Sequence, residues 1–311
     1  MRRALIVGGV LVLGVVAVAL RFGDVVGPGS GGDRASPGNA TRPAETTAAI
    51  SPSRPVPSPG VVALPPVNTP VAQLLEPLQA AAARGDSPAA CRLAMEIIRC
   101  RRWRLKVESI ETMKREQPDL APEWRQRAEN RMREIERETD RERPVCEGVP
   151  VSTPAPWRLL LEAARRGHVP SMLRFTEDEV IRHNRPEWDF EALAAYREHA
   201  YAFLLRAAES GEPAAVARLS MEMNMPGVGT RAIPFDPVRA YAWMRVFAGT
   251  AEARLAPAMN EMAAAFRERL SPADVERAEA LSATLVSPEA LKRLRSAPLE
   301  RPGPEADFGC R

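Results

Sequence analysis

Ala202-Phe203-Leu204-Leu205-Arg206-Ala207-Ala208-Glu209-Ser210-Gly211-Glu212-Pro213-Ala214-Ala215-Val216-Ala217-Arg218-Leu219 is the stretch on which the fold turns. The run up to Ser210 has helical spacing, and Gly211 supplies the residue type that ends a helix. The same local grammar returns elsewhere. Leu74, Leu75, Leu78, Ala81 and Ala82 precede Gly85, Trp157 to Arg166 precede Gly167, and Ala240 to Ala248 precede Gly249. A small residue stands four positions after each glycine: Ala89, Ser171, Ala215 and Ala253. Four positions further come Leu93, Phe175 and Leu219, with Pro257 in the last copy. Small residues there let two helix backbones approach closely, and the large residue fills the groove one turn on. Spaced helix–glycine–helix units predict an all-α fold, an α-solenoid of antiparallel helix pairs in which each unit buries its face on the next.

The segment Arg206 to Ser220 resembles the core of a Sel-one-like repeat, a relative of the tetratricopeptide repeat. Gly227-Val228-Gly229 and Asp236-Pro237-Val238-Arg239-Ala240-Tyr241-Ala242-Trp243 are similar to the second half of such a repeat. The units at 74–100 and 157–182 lack that loop and depart from its spacing. Leu270-Ser271-Pro272-Ala273-Asp274 looks like the way such chains close, with Ser271 as an N-cap and Pro272 in the first turn. The resemblance covers roughly residues 74–100 and 155–286. It implies stacked helix pairs whose concave face contacts other proteins, and it implies no catalytic residues.

Residues 1–21 read differently. Arg2 and Arg3 precede an uncharged apolar run from Ala4 to Leu20. As a helix that run rises roughly 25 Å, the short end of what spans a bilayer core. Basic residues before it predict an inner-membrane, single-pass signal-anchor with everything beyond Leu20 in the periplasm. Ala17-Val18-Ala19 leaves the alternative open, a cleaved signal peptide and release into the periplasm. Residues 22–70 are rich in Pro, Gly, Ser and Thr and predict a disordered linker. The helical repeat domain is expected over 71–300 and a flexible tail over 301–311. The 43 Lys and Arg nearly balance the 40 Asp and Glu, for a net charge of +3. No nucleic-acid partner is expected from that balance.

Residues 101–145 interrupt the repeats. Trp103, Val107, Ile110 and Met113 share one face of a charged helix, and Pro118 to Pro122 breaks it. Trp124, Ala128, Met132 and Ile135 form a stripe on a second helix from about 122 to 141. An inserted helical hairpin is expected, with an Arg- and Glu-rich solvated face or a docking arm for a partner. Such a hairpin leaves and re-enters its parent at nearly one place, so Cys100 and Cys146 are the expected structural disulfide; Cys91–Cys146 is the alternative. Cys91 and Cys100 fall on opposite faces of one helix and cannot pair. Cys310, in a polar tail, is expected to be free or intermolecular.

No catalytic residue, cofactor site or metal site is expected. His168, His183 and His199 have no metal-ligand spacing, and CxxC, Gly-x-Ser-x-Gly and the phosphate-cradling loop are absent. Glu177-Asp178-Glu179 lies between Arg174 and Arg182 and reads as a solvated ion-pair face. Trp188, Tyr196 and Tyr201 read as core or groove lining. The expectation is a non-enzymatic, membrane-tethered scaffold that binds a protein partner. Its alternatives are a helical envelope enzyme acting on cell-wall glycan through Glu177, and a structural subunit of an envelope assembly.

Overall fold

The computed structural model describes residues 64–116, 121–177, 189–224, 232–251, 256–297 and 307–310. Among them there are helices and no strand. In chain order they are α1 (Val71–Ala83), α2 (Ser87–Glu116), α3 (Pro122–Cys146), α4 (Pro156–Arg165), α5 (Val169–Phe175) and α6 (Phe190–Glu209). Then follow α7 (Pro213–Glu222), α8 (Pro237–Thr250), α9 (Ala256–Arg267), α10 (Pro272–Ser282), α11 (Pro288–Ser296) and a 3-10 turn at Asp307–Gly309. The anchor at 1–21, the linker up to residue 63, Gly227-Val228-Gly229, Ala253, Asp178, Glu179, His183 and Trp188 lie outside the described residues. Among the described residues no helix is long and apolar enough to cross a membrane.

Three turns are built alike. Gly85, Gly167 and Gly211 have φ of +94°, +92° and +89°. The glycine N–H donates three residues back, to the carbonyls of Ala82, Ala164 and Ala208. The next N–H, of Asp86, His168 and Glu212, donates five residues back, to Ala81, Ala163 and Ala207 at 3.1 Å each. This pair of bonds satisfies the last carbonyls of α1, α4 and α6 and needs a left-handed residue, which glycine supplies without a Cβ clash. The small residues Ala89, Ser171 and Ala215 are fully buried, and so are Leu93, Phe175 and Leu219 one turn on. Helix starts are equally local in origin: Asp189, Asp236, Ser271 and Ser287 accept from the N–H three residues later at 3.0, 2.9, 3.2 and 3.1 Å.

Helices pack in chain order: α1 on α2, α2 on α4, α4 on α5, α5 on α6, α6 on α7, α7 on α8, and α8 on α9 and α10. One continuous apolar core follows, running from Leu64 through Trp157, Phe203 and Trp243 to Leu294. Trp243 is fully buried, worth about 3–5 kcal/mol against truncation to alanine.

Four expectations are corrected. Gly249 ends no helix, because α8 continues through it to Thr250. The expected helical hairpin is present, but its first arm is no element of its own. α2 runs unbroken past residue 100 to Glu116, so its outer half is an extension of the first unit's second helix, and α3 returns along it. Ile110, Met132 and Ile135 are buried between the two, but Trp124 is 56% exposed, with Arg127 stacked on its ring. The end of the expected linker is folded: Leu64 is buried, and the carbonyls of Pro65, Pro66 and Val67 are held by arginines. Its prolines have no N–H to donate, which leaves carbonyls such as that of Pro65 to the arginines, while Pro66 also accepts from the Thr69 N–H at 3.1 Å. Cys310 is neither free nor in a loose tail. It is fully buried and joined to Cys91, with Cα atoms 5.6 Å apart.

Candidate functional site

The residue seven positions after each turn glycine is an arginine: Arg92 on α2, Arg174 on α5 and Arg218 on α7. Each repeats one arrangement. A carboxylate three or four residues further along the chain holds one side of the guanidinium: Glu96 at 2.8 Å, Glu177 at 2.8 Å and Glu222 at 2.8 Å. The remaining N–H groups then reach across to main-chain oxygen. Arg92 donates to the carbonyls of Pro65 and Pro66, both at 3.2 Å. Arg174 donates to the carbonyl of Phe308 through Nε at 3.2 Å and Nη2 at 2.6 Å. Arg218 donates to the Thr176 carbonyl at 2.7 Å and to its hydroxyl at 2.6 Å. Thr176 follows α5 directly, so Arg218 also places positive charge at the carbonyl end of that helix.

Such a ladder suits main-chain recognition. A guanidinium carries five N–H donors in a fixed fork, and the carboxylate holds the fork while leaving donors to spare. Burial is complete only at the first rung. Arg92 and Glu96 are both fully buried. Desolvation raises the Glu96 carboxyl above its ordinary value, against the pull of Arg92. The pair therefore adds little net stability, and removing either partner would strand the other's charge.

The first two rungs meet on Phe308. Its carbonyl is held by Arg174, while the Arg92 guanidinium lies over its ring, 5.3 Å from the centroid. Phe308 takes φ of +54°, a left-handed conformation uncommon outside glycine, followed by Gly309 at +66°. Beyond it Cys310 is bonded to Cys91, the neighbour of Arg92. His168, which precedes α5, sits next to the Cys310 backbone and bonds Ser171 Oγ through Nδ1 at 2.8 Å. Burial lowers its pKa, opposed by the Cys310 backbone and Asp86. Residues 308–310 thus bridge the second helices of the first two units.

Cys100 and Cys146 are joined across α2 and α3, with Cα atoms 5.0 Å apart. The same antiparallel seam carries Arg99 Nε to Glu142 at 2.9 Å, Trp103 Nε1 to the Thr139 carbonyl at 3.0 Å and Lys106 to Glu138 at 2.8 Å. The other singled-out residues serve elsewhere. Glu177 is the carboxylate of the second rung. Tyr196 is buried against Phe175, and Tyr201 accepts from Arg239 at 3.1 Å. His199 stacks on Phe203 and meets Arg165 at 2.9 Å. Among the described residues no group of three or more His, Cys, Asp or Glu converges as metal ligands would.

No family model, curated protein or solved structure matches the chain. The ladder is the feature that reading by sequence passed over. Its signal was present, since aligning the copies on their glycines puts Arg92, Arg174 and Arg218 in one column. A column of arginines reads as solvated charge until the fold shows that main chain lies across it.

Proposed function

We propose that this chain is a membrane-tethered, periplasm-facing scaffold whose helix pairs form an α-solenoid of the Sel-one-like kind and bind a protein partner. The observation that carries the reading is the arginine ladder. Three guanidinium groups in one repeat register, each held by its own carboxylate, grip main-chain carbonyls: two in segments lying across the second helices, and the third at the end of the preceding second helix. Main-chain capture by such forks tolerates varied side chains and suits an extended partner segment. The apolar run at residues 4–20 and the Pro-rich residues after it support the tether. A flexible spacer over residues 22–63 would reach roughly 32–39 Å and would concentrate the ladder near partners in the same envelope layer.

The test is photo-cross-linking in membranes. A photoreactive residue replaces Met221, on α7 beside the third rung, or Arg277 on α10 as a control. A discrete protein adduct from position 221, absent from 277 and weakened by Arg218→Gln, is the expected result. Equal labelling from both positions, or no adduct from 221, overturns the reading.

A further inference from the structure

We infer that residues 308–310 occupy a peptide-binding groove of this protein as an internal stand-in, and that the Cys91–Cys310 disulfide keeps the groove closed. The inference rests on the reading of the ladder as a protein-binding surface and adds its regulation and the chemistry of its ligand.

The contacts of the segment are those a foreign peptide could make. Arg174 takes a main-chain carbonyl, which every residue offers. Arg92 takes the face of an aromatic ring, which Phe, Tyr or Trp would offer. The ligand is therefore an extended segment with an aromatic residue whose own carbonyl meets Arg174. Neither contact identifies this chain's own tail, and the tail fits imperfectly. Phe308 must adopt a left-handed backbone to bring ring and carbonyl to the two arginines. A peptide free of the Cys91 bond could present the same two groups from an ordinary extended backbone. What the internal segment has instead is a covalent bond and a short tether, so its effective concentration at the groove exceeds that of any separate peptide.

Opening follows ordinary thiol–disulfide exchange with a dithiol reductant. One thiolate of the dithiol attacks a sulfur of the Cys91–Cys310 bond, forms a mixed disulfide and releases the other cysteine as a thiolate, which takes up a proton. The second thiol of the dithiol then displaces the first cysteine. The dithiol ends as a disulfide, oxidised by two electrons, and both cysteines end as thiols. Cys91 and Cys310 are fully buried, so the attacking thiolate reaches them only after Phe308 and Gly309 have lifted from the arginines with Cys310 still bonded. A peptide that captures the lifted state must then accelerate reduction.

The experiment uses the full chain in detergent and a fluorescent synthetic peptide of residues 303–311 carrying Cys310→Ser. Anisotropy titrations compare the oxidised wild type, the open variant Phe308→Ala/Cys310→Ser, and the open variant with Arg174→Gln. The open variant should bind at least about tenfold more tightly than the wild type, and Arg174→Gln should weaken binding roughly tenfold or more, as the loss of a charge-assisted bond does. Excess peptide should also speed reduction of Cys91–Cys310 by dithiothreitol, followed by mass spectrometry. The proposal is overturned if the open variant, folded by circular dichroism, binds no better than the wild type, or if Arg174→Gln leaves its affinity unchanged. Failure of either kind alongside a position-221 adduct removes the latch and leaves the scaffold standing. Peptide binding as expected without any adduct keeps the groove and removes the membrane scaffold.

Discussion

Substituting alanine at the three turn glycines separates backbone strain from packing. Gly85, Gly167 and Gly211 share one left-handed conformation, so each alanine meets the same penalty of about 1–2 kcal/mol. At Gly85 and Gly167 a Cβ would meet nothing within 4 Å. At Gly211 it would lie 2.6 Å from the Ala290 carbonyl oxygen and 3.1 Å from the Ala290 Cα, both backbone atoms of α11. Ser287 caps that helix, and Arg293 ties it to the same turn through the Ser210 carbonyl at 2.8 Å, so α11 cannot yield without losing this bond. Displacing it adds about 1–3 kcal/mol, the usual cost of overpacking. Gly85→Ala and Gly167→Ala should therefore lose about 1–2 kcal/mol and Gly211→Ala about 2–5 kcal/mol. At about 2–4 °C per kcal/mol for a domain of this size, the Tm falls by about 2–8 °C in the first two and about 4–20 °C in the third. Thermal unfolding by circular dichroism measures this, and amide exchange over residues 288–296 should rise in Gly211→Ala alone. Three equal losses, or unchanged exchange in α11, would refute the packing argument.

Two further outcomes follow from the same structure. Replacing both Cys100 and Cys146 with serine removes a cross-link with a sequence separation of 46 residues; the chain-entropy model sets the loss at about 4 kcal/mol, checked by urea unfolding under oxidising conditions. His168 has a pKa lowered from 6.5 by burial, so the folded state favours neutral imidazole. Its contribution is complete above pH 6.5 and is lost as pH falls from there through the lowered folded value, because the unfolded chain then binds more protons. Unfolding free energies measured on either side of pH 6.5 should fall with acid in the wild type and less so in His168→Gln; equal slopes would count against the assignment.

Much of the local order was legible from residue types alone. Glycine at a helix end, serine or aspartate before proline at a helix start, and small residues four positions past each turn act through neighbours within a few residues. Their meaning does not wait for the tertiary fold. Gly249 misled because it carries the glycine without the break. Gly249 is exposed, and a single glycine costs a helix only about 1 kcal/mol, so α8 runs one residue past it to Thr250. The hairpin boundary misled for a related reason. Polar composition changes near residue 101, but hydrogen bonding along α2 does not.

The sequence by itself determined the helices of the described residues, three glycine turns and the register of the units they join, because those depend on sterics and spacing along a few residues. Only the tertiary structure decided what lies across the second helices. Phe308 and Arg174 are 134 residues apart, Cys91 and Cys310 are 219 apart, and no periodicity reports such pairings. An arginine looks the same in sequence whether its donors face water or a carbonyl. The difference is made by which distant segment the packed helices leave room for.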